Sequence, residues 1–287
     1  MNIMKNIKTG LILEGGAMRG MFTAGVTDVM MENGITVDGA IGVSAGAAFG
    51  CNYKSNQPGR VIRYNTTFCR DPRYAGLRSL IKTGNFYNAD FCYVEIPTKR
   101  DLFDEETFVK NPMEFYVVCT DIEKGEVIYH RCGDSENELE WFRASASLPL
   151  ASKPVEVDGK KLLDGGIIDS IPLQYFESIG YNKNIVLLTQ PKGFVKEKNK
   201  IVPIIKRALK QYPKVAELLA VRHIGYNETI KYIEEREKSG DVLVIRPPEP
   251  LNIKHTCRDP EELRRVYNIG RKTAEDMLEQ IKAFTTK

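Results

Sequence analysis

The stretch GAIGVSAGAAFG, residues 39–50, constrains the fold most, because it joins an apolar run to a helix of small residues through a turn. Gly42, Ser44 and Gly46 form the pattern G-x-S-x-G of a nucleophile elbow, in which the residues two before and two after the serine are small because neighbouring backbone presses close. Free N–H groups at the start of the following helix favour negative charge. The pattern predicts a strand, a strained turn and a helix, with Ser44 as candidate nucleophile. The alternative is a small-residue turn that only packs a helix on a sheet.

A glycine-rich loop follows the first predicted strand of the chain, within the stretch LILEGGAMRG. Its glycines indicate positive φ or a close approach of the backbone to a ligand. Two ligands fit, the oxyanion of an acyl-transfer reaction or a nucleotide pyrophosphate. Gly15-x-Ala17-x-x-Gly20 resembles a variant dinucleotide fingerprint, with Asp38 as the ribose acid. That interpretation is disfavoured, because the segment before the elbow is short for a second strand ending at Asp38 and the elbow itself stays unexplained.

A candidate base for the serine lies in the stretch PVEVDGKKLLDGG. Asp158-Gly159 is a hairpin turn signal between two short apolar arms. The second arm delivers Asp164 at its end, where Gly165 and Gly166 allow other backbone to come near. An ordinary Asp-Gly turn is the alternative, but Asp164 follows an apolar strand and does not join two arms.

The remaining pattern alternates strands and helices, which predicts one α/β domain over residues 1–287. Near-continuous apolar runs are typical of parallel strands that are covered on both faces. The predicted strands are 10–13, 39–43, 114–121, 184–190 and 241–247, and the predicted helices begin at 21 and 45 and fill 201–237 and 260–284.

Taken together, EGGAMRG, GVSAG and DGG resemble the patatin-like phospholipase family over about residues 9–190. The helices and returning strand of residues 200–287 resemble bacterial members of the YjjU type. The resemblance implies a three-layer α/β fold, with a mostly parallel central sheet and helices on both faces.

The same resemblance implies that Ser44 is the nucleophile and Asp164 its only partner, a dyad without histidine. The oxyanion hole would come from backbone N–H groups of the loop at Gly15, Gly16 and Ala17, near Arg19. The motif glycines that support these turns are Gly20, Gly42, Gly46, Gly165 and Gly166. Two residues depart from the family pattern, which usually has Asp at the position of Glu14 and a third glycine at that of Ala17.

Composition excludes several other classes. The net charge is +3, from 41 basic and 38 acidic residues, which gives no reason to expect nucleic acid. No secretory signal and no apolar run of membrane-spanning length is present in the sequence. The six scattered cysteines indicate reduced thiols in the cytoplasm, and no histidine has a metal-ligand spacing. These residues are Cys51, Cys69, Cys92, Cys119, Cys132 and Cys257, with His130, His223 and His255.

Two segments are open to more than one interpretation. Residues 60–93 combine six basic residues and seven aromatics with two acids. Nucleic-acid binding needs such interleaving, but it also suits a cover over an acyl pocket or ordinary packing, and packing is favoured. The amphipathic stretch 201–222 either covers a core or lies on a membrane.

The predicted function is hydrolysis of carboxylic esters, with acyl lipids as substrates and no cofactor or metal. The predicted location is the cytoplasm, with peripheral contact to the inner membrane surface as one option. The alternative from another class is an inactive lipid-binding or regulatory protein on the same scaffold.

Overall fold

The computed structural model describes residues 7–286, which form one eight-stranded sheet with helices around it. The strands are β1 (Lys8–Leu13), β2 (Gly39–Val43), β3 (Glu114–Asp121), β4 (Glu126–Arg131), β5 (Val155–Val157), β6 (Lys160–Asp164), β7 (Tyr181–Leu187) and β8 (Val242–Ile245). The helices are α1 (Gly20–Glu32), α2 (Ala45–Lys54), α3 (Arg60–Phe68), α4 (Leu77–Thr83), α5 (Glu105–Lys110), α6 (Glu138–Ser145), α7 (Leu173–Ser178), α8 (Val202–Ala208), α9 (Pro213–Ser239), α10 (Pro260–Asp276) and α11 (Leu278–Thr285). Short 3₁₀ turns at Ala17–Arg19 and Gly165–Ile167 and a π-helical segment at Asp90–Arg100 complete the elements.

The sheet has the order β5-β6-β3-β2-β1-β7-β8, with β4 on the other side of β3 from β2. The neighbours from β3 to β8 pair in parallel, whereas β4, β5 and β6 pair antiparallel at one margin. The apolar runs predicted as strands are strands, and the mostly parallel centre agrees with the prediction.

Helices cover both faces of the sheet. Leu11 and Leu13 of β1 pack into one core with α1, α2 and α10, whereas Ile12 between them packs into the opposite core with α7 and α9. Successive side chains of a strand point to opposite faces, so a strand buried on both sides is apolar throughout. The prediction of a three-layer α/β fold is confirmed.

The last part of the chain returns to the sheet. β8 pairs in parallel with β7, as the sequence predicted for this stretch. α10 packs against α1, and the Tyr267 hydroxyl donates a hydrogen bond to Asp28 Oδ2 at 2.6 Å. The helices cross closely, because a Cβ atom at Gly270 would overlap the carbonyl oxygen of Phe22.

Two predicted helices are each divided in the structure. The pattern over 201–237 is α8 and α9, and the break lies just before Pro213, which lacks an N–H and begins the second helix. The pattern over 260–284 is α10 and α11, with Met277 between them at φ −101° and ψ 5°. Neither glycine nor proline marks that second break, so the pattern could not reveal it.

The two ambiguous segments pack on the body of the protein. Within 60–93 the rings of Tyr74 and Phe91 are buried in a small core of their own, and Arg73 pairs with Asp71 at 2.8 Å. In the stretch 201–222 the start of α9 buries its apolar face against the 3₁₀ turn after β6. Part of each segment is packed, whereas Leu77, Ile81 and Ile204 are exposed, so the alternatives of a cover and of membrane contact stay predictions.

Candidate active site

The topology of β3 brings two distant strand ends together. β2 ends at Val43, which lies opposite Val118, and β6 ends at Asp164, which lies opposite Cys119. β2 and β6 pair with successive stretches of the same side of β3. Ser44, directly after β2, and Asp164, at the end of β6, therefore lie next to adjacent residues of β3. The sheet brings together the two side chains that the sequence singled out.

Ser44 occupies a strained turn. Its φ is 56° and its ψ is −123°, a conformation that costs a serine of the order of 1–3 kcal/mol. A Cβ atom at Gly42 would lie 2.5 Å from the Cα atom of Ala47, and one at Gly46 would overlap the carbonyl oxygen of Leu13. The glycine spacing of the motif therefore follows from backbone contact on both sides of the serine.

Ser145, at the end of α6, links the Ser44 turn to β3 by hydrogen bonds. The Ser44 N–H donates to Ser145 Oγ at 2.9 Å, and Ser145 Oγ donates to the Val118 carbonyl at 2.7 Å. The Ser145 side chain is fully buried. Sequence reasoning missed this residue, since nothing in its local pattern shows which strand its hydroxyl meets.

Asp164 is buried beside the serine. Its Oδ1 atom accepts a hydrogen bond from the Gly166 N–H at 2.7 Å. Its buried Oδ2 atom has no hydrogen-bond partner of ordinary geometry within residues 7–286, although the nearby Ser44 hydroxyl favours the charged carboxylate. Burial raises the pKa of Asp164, and the Ser44 hydroxyl, the Gly166 N–H and the charge of Arg222 reduce that rise. The carboxyl thus has a free oxygen and increased basicity at the serine.

The glycine loop lies directly on the serine turn. A Cβ atom at Gly15 would lie 2.9 Å from the Val43 carbonyl oxygen and 3.0 Å from Ser44 Cβ. In the part of the chain that the structure describes, the N–H groups of Gly15 and Gly16 donate no hydrogen bond to the protein. The protein itself therefore leaves these N–H groups unused, in a loop that contacts Ser44.

The two departures from the family pattern have visible consequences. Ala17 has a φ of 48°, where an alanine is strained and glycine is not. Glu14 is buried, its Oε2 atom accepts from the Thr189 N–H at 2.5 Å and hydroxyl at 3.0 Å, and its Oε1 atom accepts from the Tyr226 hydroxyl at 2.8 Å. The longer acid therefore ties the loop to the segment after β7 and to α9.

Arg19 does not supply a backbone donor to the loop. Its N–H donates to the Gly16 carbonyl at 3.1 Å, so it is already used. Its side chain turns towards Thr189, with Nε donating to the hydroxyl at 3.4 Å, and towards His255, which accepts a hydrogen bond from the guanidinium. Arg19 therefore lies beside the predicted oxyanion loop, but its own N–H is not free for a ligand.

The other motif glycines mark close approaches. A Cβ atom at Gly20 would lie 2.9 Å from the ring of Phe49, and one at Gly165 would overlap the Val118 carbonyl oxygen. Gly166 provides the N–H that binds Asp164. Of the five glycines predicted to support the site, all but Gly166 have backbone or ring atoms against them, and Gly166 has only polar side chains nearby.

Asp38 argues against the dinucleotide interpretation. It precedes β2, and its carboxylate accepts hydrogen bonds from the N–H and hydroxyl of Thr9, near the start of β1. The glycine loop follows the opposite end of β1, and a strand rises by about 3.3 Å per residue. Asp38 therefore lies at the wrong edge of the sheet for a ribose bound at the loop.

Neither a metal cluster nor a membrane span is found among residues 7–286. No three His, Cys, Asp or Glu side chains are grouped there so that they could hold a metal ion. None of the helices described is both long enough and apolar enough to cross a bilayer.

Comparison with known proteins identifies the family. The model for patatin-like phospholipases matches residues 11–177, which is more than half of the chain. The chain belongs to the patatin-like phospholipase family. The resemblance inferred from the three motifs is confirmed. A second model, a domain of unknown function called DUF6363, matches residues 212–286 of this patatin-like protein.

Its curated relatives are distant. The uncharacterized protein YjjU of Escherichia coli is 24% identical over 92% of this chain and 75% of its own length. The lysophospholipase nte1 of Aspergillus terreus is 25% identical over 95% of this chain, and a patatin-like phospholipase domain-containing protein of Caenorhabditis elegans is 23% identical over 94%. The chain spans only 18% and 21% of those last two proteins. The crystal structure of VipD from Legionella pneumophila aligns with a TM-score of 0.47 and 15% identity, over 95% of this chain and 67% of VipD.

Proposed function

We propose that this patatin-like protein is a serine hydrolase that cleaves carboxylic esters of lipids, with Ser44 as nucleophile and Asp164 as base. One observation carries the proposal. The strained turn at Ser44 and the unpartnered oxygen of Asp164 lie side by side, because their strands pair with adjacent residues of β3. Family membership and relatives named lysophospholipases favour lipid esters as substrates.

In the first half of the reaction Ser44 Oγ attacks the ester carbonyl while Asp164 accepts the hydroxyl proton. The carbonyl oxygen becomes an oxyanion, which accepts hydrogen bonds from the loop N–H groups of Gly15, Gly16 and Ala17. The positive end of α2, which begins just after Ser44, also stabilises this charge. When the intermediate collapses, Asp164 returns the proton to the departing alcohol and leaves an acyl-enzyme.

In the second half a water molecule attacks the acyl-enzyme, with Asp164 again as base. The carboxylic acid is released and the proton returns to Ser44 Oγ. A carboxylate with a pKa near 4 is a weak base for a hydroxyl in water. Burial increases the basicity of Asp164, and its fixed position next to Ser44 replaces part of the pKa match that histidine offers in other hydrolases.

We further propose that residues 1–287 act as one hydrolase unit in the cytoplasm. The six cysteines are all free thiols in the structure, which suits a reducing compartment. Peripheral contact with the inner membrane surface would give the site access to lipid.

The test combines active-site labelling with hydrolysis of a p-nitrophenyl ester. A fluorophosphonate probe is expected to modify Ser44, and Ser44→Ala should abolish both labelling and hydrolysis, with a loss on the order of 10⁴-fold. Ser178→Ala serves as control, since that exposed serine on α7 bonds only to its own helix. Hydrolysis by a folded Ser44→Ala variant would overturn the mechanism. A folded wild type that neither reacts with the probe nor hydrolyses esters would support a lipid-binding protein without turnover.

A further inference from the structure

Three cationic side chains from separate segments meet beside the candidate active site. Arg19 follows the glycine loop, Lys196 lies in the segment after β7, and Arg222 lies on α9. Lys196 is held in place, because its N–H donates to Asn227 Oδ1 at 2.8 Å and its carbonyl accepts from the same amide at 3.0 Å. Its ammonium lies 4.2 Å from the centre of the Tyr226 ring.

These charges have no carboxylate paired with them. Among residues 7–286, neither Arg19 nor Lys196 nor Arg222 forms an ion pair. Two acids lie nearby: the charge of Glu14 acts on Arg19 and Lys196, and Asp164 interacts with Arg222. Because three cations face two carboxylates, the cluster keeps a net positive charge.

The cluster flanks the candidate catalytic pair on two sides. On one side a Cβ atom at Gly16 would lie 3.3 Å from Arg19 Cβ. On the other, Arg222 Nη2 donates to Ser170 Oγ at 3.1 Å and would lie 3.2 Å from a Cβ atom at Gly166. The buried Nε atom of Arg222 has no partner in the described part of the chain.

The electrostatics of the cluster are unfavourable without an anion. Burial lowers the pKa of Lys196 to about 8, together with smaller effects of the Arg222 and Arg19 charges and against the opposing effect of Glu14. Partial desolvation of the surface residue His255, together with the same three cations, lowers its pKa to about 4. Like charges brought together with little water destabilise a fold, so such a group marks a candidate binding site.

We propose that Arg19, Lys196 and Arg222 bind the phosphate group of an acyl ester substrate, so that the site selects phosphate-bearing lipids over neutral ones. A phosphate has several acceptor oxygens and one or two negative charges, which suits three converging cations. His255, neutral at pH 7, accepts from Arg19 and helps to orient that guanidinium. The selection of substrate rests on the proposed ester hydrolysis, whereas phosphate binding itself does not.

Lys196 is the residue to substitute, because its side chain has no hydrogen bond to the loop or to Asp164. Lys196→Met keeps the aliphatic length and removes the charge. Lys198→Met is the matched control, since Lys198 is an exposed lysine two residues along the same segment. Both variants lower the net charge equally.

The first measurement compares a 1-acylglycerol 3-phosphate with the monoacylglycerol of the same chain length. The wild type should prefer the phosphate ester, and Lys196→Met should reduce that preference about 10-fold, mainly through KM, as expected for one charge-assisted hydrogen bond. Lys198→Met should keep it. An equal preference in all three proteins, or an equal fall in both variants, would overturn the phosphate site while ester hydrolysis stands.

The second measurement needs no turnover. At constant ionic strength, inorganic phosphate at a saturating concentration should raise the Tm of the wild type and of Lys198→Met more than that of Lys196→Met. A phosphate-dependent Tm in a wild type that hydrolyses neither ester would support the anion site and contradict the hydrolase function. A Tm that responds equally in all three proteins would contradict the site whatever the activity.

Discussion

The buried carboxyl of Asp164 is less well solvated in its charged form than an exposed carboxyl, which raises its pKa. A carboxyl with a raised folded-state pKa contributes stability below its ordinary pKa, and this contribution is lost as the pH rises through the folded-state value. Ionised Asp164 therefore costs stability at neutral pH.

We expect Asp164→Asn to remove nearly all ester hydrolysis and to raise the Tm at pH 7. Asparagine stays neutral and can still accept the Gly166 N–H. The gain in Tm should shrink as the pH falls towards 4, and wild-type activity should rise with pH through the raised pKa. Circular dichroism melts and hydrolysis rates between pH 4 and 8 test both points. An active variant, or one less stable than the wild type at pH 7, would contradict this role for Asp164.

Single residues differ in how far the sequence reveals them. Ser44 and Asp164 could be found because each needs glycines at fixed positions, and glycine requirements are local. Ser145 and Arg222 could not, because they reach the site from helices distant in the chain and their role depends on packing. The positive φ of Ala17 cannot be read from the residue itself, because alanine favours no such conformation.

At the scale of elements, the crossing of α1 and α10 depends on the absence of two side chains. Cβ atoms at Gly25 and Gly270 would overlap the carbonyl oxygens of Tyr267 and Phe22 respectively. Gly225, on α9, is also helical, but apart from its own helical turn and chain neighbours no heavy atom lies within 4 Å of its Cβ position. The two situations predict opposite effects of the same substitution.

We expect Gly270→Ala to destabilise the fold by about 1–3 kcal/mol or more, because backbone atoms must move apart to admit a methyl group. Gly225→Ala should stabilise it by about 0.5–1 kcal/mol, since alanine favours the helix and meets nothing. Urea unfolding of both variants measures the difference. A stable Gly270→Ala variant would show that the helices do not cross as closely as described.

Elements were predictable where their own residues decide them. The β5–β6 hairpin follows from Asp158-Gly159, and both residues have the positive φ that such a turn requires. The start of α9 is also encoded locally, by Pro213, although the apolar pattern over 201–237 continues across it and gave no sign of a break. The break at Met277 has no such signal, because neither glycine nor proline stands there. The π-helical segment Asp90–Arg100 includes Pro97, a residue that normally interrupts a helix, so its sequence does not predict a continuous helix.

At the scale of the whole molecule, the candidate site is assembled from segments that lie far apart in the chain. β2 and β6 share one edge of β3, yet Ser44 and Asp164 are separated by about 120 residues. Family patterns predicted which segments take part. They could not predict that β2 and β6 pair with the same side of β3, because that arrangement depends on the complete sheet.

That shared edge has a consequence for refolding kinetics. Helices form from local contacts, whereas pairing of distant strands must first close long loops and is slow. After dilution from urea, we expect far-UV circular dichroism to recover before ester hydrolysis does, because the proposed nucleophile Ser44 meets the proposed base Asp164 only when both strands have docked. Recovery of both signals with one rate constant would contradict this order. Catalytic competence would then be the last property that the newly folded chain acquires, and a protease in the cell would meet a largely helical but inactive form before it.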